Sequence, residues 1–279
     1  MRRMAPLHLA IGLICASQLA APAGSGSPPL VSAAGAPAGA EMLPVQWVKI
    51  AAPGIGVMLA AVARPAGSGP FPAVVLLHGS HGFAPQYVQL AEELARNGLI
   101  AVAPCWFSGG SGAGSRFVAA PIRCPEAPPM PMASSPEALR TVDALVQAVA
   151  ALPGVRGDRV GLFGHSRGAG AALHYALGSS RPGAVVLDSS GYPDPDVASR
   201  INAPVLILHG SADGPSNAGT SFTAVQRARD FEKALRRAGK PVEARYYDGG
   251  EHNGIFTNPT QHDDEVKRIA AFLRRNLAR

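Results

Sequence analysis

The chain has 279 residues, 47% hydrophobic and 16% charged, which excludes wholesale disorder and allows one well-cored domain of ~250 residues. Its formal charge of +6 is spread along the chain and forms no basic stripe, so nucleic acid is not expected as a partner.

In chain order, residues 1 to 23 read as a secretory signal peptide. Arg2 and Arg3 are basic, an apolar stretch runs from about Leu7 to Ala20, and Ala21-Pro22-Ala23 offers a small-residue cleavage site. The apolar stretch is shorter than the ~20 residues that a bilayer requires and His8 interrupts it, so no stable membrane anchor is expected. Bulky Ile14 before Cys15 speaks against a lipidated terminus. Residues 24 to 44, rich in Gly, Ser, Ala and Pro, read as a flexible linker into a single domain over 45 to 279. A periplasmic or secreted location would leave Cys105 and Cys124 where disulfides form, and they flank a Gly/Ser-rich loop that a bridge would close.

Short runs of Val, Ile and Leu alternate with helix-period segments, the pattern of an α/β fold around a mostly parallel sheet of about eight strands. Strands are predicted at 45 to 51, 56 to 63, 73 to 78, 99 to 103, 159 to 163, 184 to 187, 204 to 209 and 242 to 247. Helices are predicted at 86 to 97, 136 to 151, 166 to 178, 222 to 238 and 262 to 277. Ser135-Pro136 caps and starts one helix, and Gly239 follows the end of another. Leu139, Val142, Val146 and Val149 form a core-facing stripe, as do Val225, Phe231 and Leu235. Between Pro104 and Ser134 lie about thirty residues without a clear period, far beyond a usual βα loop of ~2 to 6. Such a loop, following a strand, can overhang a site at the carboxyl end of the sheet.

Gly164-His165-Ser166-Arg167-Gly168 falls between strand 159 to 163 and an alanine-rich helix. A Gly-x-Ser-x-Gly in that setting presents a serine hydroxyl on a strained turn. Serine at its free pKa is a poor nucleophile and needs a histidine oriented by a carboxylate. Downstream, Asp213 follows strand 204 to 209 and His252 follows strand 242 to 247. Asp188, after strand 184 to 187, is the alternative acid. His78 and His209 end strands and read as structural, and His165 lies too close in sequence to reach the Ser166 hydroxyl. A tetrahedral oxyanion needs two N–H donors. Arg167 supplies one from its backbone, and the loop "HGSHGF" supplies the other from Ser80 or His81. His81, Trp106 and Phe107 are candidates to touch the substrate, with a core anchor as the alternative for Trp106. Arg116 and Arg123 read as solvent-facing.

The segments LLHGSHGF at 76 to 83, GHSRGAG at 164 to 170, LHGSADGPS and YDGGEHNGIF together resemble the α/β-hydrolase fold and, within it, the dienelactone hydrolase-like family. The resemblance spans about residues 45 to 279; the separate cap domain usual in that fold is not evident in this sequence, where 104 to 134 could serve as a small lid, and no metal or cofactor is expected. Dienelactone hydrolases proper carry cysteine as nucleophile. Ser166 departs from that and points to the serine esterase relatives, acting on small-molecule or polymeric esters. A peptidase of the prolyl oligopeptidase type, or a non-catalytic binding protein on the same fold, are the alternatives.

Overall fold

The apolar runs form the middle of a nine-stranded sheet, in the order β1-β2-β3-β5-β4-β6-β7-β8-β9, in a computed structural model that describes residues 27–37, 44–110 and 120–278. The proposed leader lies outside the described residues. The strands are β1 (Leu30–Ala33), β2 (Gln46–Ala52), β3 (Gly56–Ala63), β4 (Phe71–Leu77), β5 (Ile100–Pro104), β6 (Val155–His165), β7 (Pro182–Asp188), β8 (Val205–Gly210) and β9 (Val242–Tyr247). From β5 through β4 and on to β9 every pairing is parallel, whereas β1, β2 and β3 join antiparallel at one edge. This is the α/β-hydrolase fold, with one strand more than the pattern of apolar runs predicts. The extra strand is β1, inside the stretch read as linker. Its pairing with Val48–Ala51 comes through the backbone, while Leu30 and Val31 stay exposed, so no burial pattern marks it in the sequence.

The helices are α1 (Pro85–Arg96), α2 (Pro136–Ala150), α3 (Arg167–Gly178), α4 (Val225–Arg237), α5 (Gly254–Thr257) and α6 (Pro259–Leu277). They cover both faces of the sheet, as right-handed parallel crossovers require. Val142, Leu145, Leu173 and Phe231 from α2, α3 and α4 fill one face. Leu90, Leu94, Ile269 and Phe272 from α1 and α6 fill the other. Ser135 caps α2 through a hydrogen bond from Ala138 N, followed by Pro136. Helix α6 starts three residues earlier than its apolar period indicates, because Asn258 caps it and Pro259 fits its first turn. Among the described residues no helix is long and apolar enough to cross a membrane.

The long connection after β5 is pinned where it is described. Cys105 and Cys124 form a disulfide. Ile122 N–H donates to Phe83 O at 2.7 Å, Ser108 N–H to Pro128 O at 2.6 Å, and Val57 N–H to Glu126 O at 3.2 Å. The Lys49–Glu126 ion pair, 2.6 Å long and exposed, lies over the same seam. Residues 120 to 135 are therefore a strap laid across β3 and up to the start of α2. Arg123 is exposed, and Arg116 lies outside the described residues.

The disulfide closes a loop with a sequence separation of 19, for which chain-entropy arguments give about 3 kcal/mol of stabilisation. Protein lacking residues 1 to 23, and with them Cys15, is expected to resist alkylation without reductant and to take two labels after reduction. The Cys105→Ser/Cys124→Ser double variant is expected to unfold at lower denaturant by up to that amount. Two freely labelled thiols in native protein would contradict the bridge.

Candidate active site

The turn at the end of β6 is forced by close packing. A Cβ on Gly168 would sit 2.0 Å from Leu77 O, and one on Gly164 would sit 2.4 Å from Ala169 N, so only glycine lets α3 start against β4 and β6. The chain between them turns through Ser166 at φ 53° and ψ −115°, a strained conformation for a residue with a side chain. Ser166 N–H donates to Asp188 O at 2.9 Å and Ser166 O accepts from Gly170 N–H at 3.0 Å, which hold the turn from both sides. The result is a part-exposed hydroxyl at the N-terminus of α3.

Loops from β8 and β9 converge on that hydroxyl. His252 Nε2 lies 2.9 Å from Ser166 Oγ, and His252 Nδ1 lies 2.9 Å from Asp213 Oδ2. Asp213 is buried and held by two further donors. Thr223 Oγ1 donates to Oδ1 at 2.9 Å, and His209 Nε2 lies 3.1 Å from Oδ2. Burial by itself would raise the Asp213 pKa; hydrogen bonds from His209 and His252 outweigh it and lower the value to about 2. Asp213 is thus an anion at any physiological pH, suited to hold an imidazole in one tautomer and to stabilise it when protonated.

Asp188, the alternative acid, faces His165 instead, with Nδ1 and Oδ2 2.5 Å apart. His165 also lies 3.1 Å from Asn253 Oδ1. His209 reads from the sequence as structural and His165 as too close to Ser166 to reach its hydroxyl, and neither Thr223 nor Asn253 stands out there. For His209 a signal was present, since His209 and Asp213 are four residues apart across the end of β8.

The loop after β4 comes to the same point. Ser80 Oγ accepts from Arg167 Nε at 2.9 Å, and Arg167 NH1 donates to Pro131 O at 2.7 Å. Arg167 so ties the nucleophile turn to the Ser80 loop on one side and to the strap on the other. Gly79 N–H donates to the Tyr87 hydroxyl at 2.9 Å, and His81 stacks on the Tyr87 ring with Nε2 2.9 Å from that hydroxyl. Burial, reinforced by the neighbouring His165, His78 and His252, lowers the His81 pKa to about 2 and keeps the ring neutral.

Trp106 and Phe107 require a correction. Both are buried without exposed surface, so neither lines a cleft open to substrate. Trp106 Nε1–H donates to His78 O at 2.9 Å, and Phe107 packs edge-on against the His78 ring at 4.3 Å. An indole N–H in a core must find an acceptor, and here it finds the end of β4. These residues support the Ser80 loop from behind.

The sequence profile of the dienelactone hydrolase family matches residues 58–275. No curated protein matches the sequence. Among solved structures, a putative dienelactone hydrolase of Klebsiella pneumoniae is 21% identical, covers 88% of this chain and 98% of its own, and superposes with a TM-score of 0.62. An esterase of Pyrococcus furiosus is 15% identical over 85% of this chain and 95% of its own, with a TM-score of 0.64. An acylaminoacyl peptidase of Pyrococcus horikoshii is 14% identical over 79% of this chain and 40% of its own, with a TM-score of 0.57. At these identities the structural likenesses establish the fold.

The buried histidines make the fold sensitive to acid. Burial lowers the His78 pKa from 6.5 to about 3. Below pH 6.5 the unfolded chain binds a proton there that the folded chain does not, so stability rises with pH between about 3 and 6.5 and is complete above that window. His78→Phe, which keeps a ring against Phe83 and Phe107, is expected to reduce the slope of unfolding free energy between pH 4 and 6 by about 1.4 kcal/mol per pH unit relative to wild type. Denaturant titrations across that range check it, and an unchanged slope would mean that His78 ionises within the folded state.

Proposed function

The chain belongs to the dienelactone hydrolase family and is a hydrolase, and from this we infer that it cleaves carboxylic esters through Ser166, His252 and Asp213. The observation that carries the inference is the continuous hydrogen-bonded path from Ser166 Oγ to His252 and on to Asp213. Ser166 attacks the ester carbonyl as His252 Nε2 takes its proton. The C–O bond of the tetrahedral intermediate then breaks as His252 returns that proton to the leaving alcohol, which forms an acyl-enzyme. Water, deprotonated by His252, attacks the acyl carbon and releases the acid and free Ser166.

The tetrahedral oxyanion lies at the N-terminus of α3, where the Arg167 N–H and the helix dipole favour negative charge. The second donor comes from the Ser80–His81 loop, which the Arg167 guanidinium draws to the nucleophile turn. Removing one such donor typically raises the barrier by ~3 kcal/mol. Oxyanion stabilisation and acid–base transfer are supplied by groups of this chain, and no step calls for a metal or cofactor. The Cys105–Cys124 disulfide supports export to a periplasmic or extracellular compartment, the expectation drawn from the leader.

Ser166→Ala is expected to fold as wild type and to lose at least ~1,000-fold in kcat on p-nitrophenyl esters, because the triad acts as a unit. An acetate-to-palmitate series run beside it reads the preferred acyl length. Turnover of p-nitroanilides without turnover of esters would replace the esterase with the peptidase reading. An unchanged rate in Ser166→Ala would overturn both.

A further inference from the structure

Ester hydrolysis through the triad leaves a second imidazole and carboxylate beside it without a role. His165 and Asp188 are both buried, in register on adjacent strands β6 and β7. Two residues earlier on the same strands, Phe163 and Val186 fill the same sheet face with apolar side chains. Apolar groups there avoid the desolvation that a buried carboxylate suffers, several kcal/mol per ion. Burial, reinforced by the nearness of Asp188, pushes the Glu265 carboxyl well above its ordinary range.

The pair stands between the two loops that must meet. Asp188 O accepts from the nucleophile's own N–H at 2.9 Å. The far nitrogen of His165 lies 3.1 Å from Asn253 Oδ1, one residue from the general base, and the His165 and His252 ring centroids are 5.2 Å apart. Asn253 in turn starts α5, where its carbonyl accepts from Phe256 N–H and from the Thr257 hydroxyl. One imidazole thereby fastens the strand end that bears Ser166 to the loop that bears His252, along a path separate from the triad's own hydrogen bonds.

We propose that His165, locked by Asp188, is a positioning residue that grips Asn253 and so keeps His252 Nε2 within reach of the Ser166 hydroxyl. The proposal rests on the triad reading above. Its physical basis is that the three triad residues arise from three separate loops, and a misplacement of ~1 Å between reacting groups can lower a rate by ~100-fold.

Asn253→Ala is the first variant, because it removes the far end of the grip and spares the buried pair. On p-nitrophenyl acetate its kcat is expected to fall ~10- to 100-fold with KM unchanged within about twofold, and labelling of Ser166 by a fluorophosphonate to slow by a similar factor. His165→Gln is expected to show the same loss, and the double variant no more than either alone, since both break one contact. An Asn253→Ala enzyme with wild-type kcat and labelling rate would overturn the proposal even if its thermal midpoint fell, as would losses that multiply in the double variant. A wild type inert to both esters and fluorophosphonate would remove the triad reading and this one with it. An active wild type with an equally active variant removes this one alone.

Discussion

The contact between Gly168 and the Leu77 carbonyl is the constraint from which the site follows. Because the first turn of α3 lies against β4 with no room for a methyl group, the chain leaving β6 cannot ease into the helix. It turns at Ser166 with a positive φ, and that turn aims the hydroxyl out of the sheet toward the loops after β8 and β9. A strained backbone of this kind costs of order 1–3 kcal/mol and persists only where packing over-determines it. Here the packing comes from both neighbours of β6, through Leu77 on one side and Asp188 on the other.

Around the turn, burial sorts the ionisable groups into charged and neutral. Asp213 stays anionic because two imidazoles and a hydroxyl point at it, whereas burial pushes the Glu265 carboxyl, with Gln261 as its hydrogen-bond donor, well above its ordinary range. His78 and His81 are neutral at physiological pH through desolvation. Positive charge close to His252 would hinder it from accepting a proton, and the neutral rings remove that hindrance while still filling space with polar, orientable groups.

Much of this is legible in the sequence, because the fold is written in local terms. Runs such as Ala73–Leu77 and Val205–Leu208 are apolar on both faces, and strand-end loops are where such sheets carry chemistry. Ser166, Asp213 and His252 stand out by order and by position at strand ends, and in the structure they meet. What is not legible depends on pairing between distant elements. The partner of His165 is 23 residues away and that of Ser80 is 87 away, and neither follows from periodicity. Trp106 looks equally suited to a pocket wall and to a core, and only the position of the His78 carbonyl decides between them. Strand β1 escapes notice because it is recruited by hydrogen bonding and buries almost nothing of its own.

The two ends of the sheet also differ in how they meet other molecules. Strand β1 is four residues long and follows Pro28-Pro29, so it presents few backbone groups to an approaching strand, and it covers the longer edge of β2. At the opposite end, β9 turns Glu243 and Arg245 outward, and an incoming strand would have to desolvate both. Short length, proline and outward charge are the devices that stop sheets from adding to one another. The segment ahead of β2 therefore acts as a cap: removing residues 27 to 37 would bare the four residues Val48–Ala51 that β1 pairs, and leave the edge of β2 open to an approaching strand.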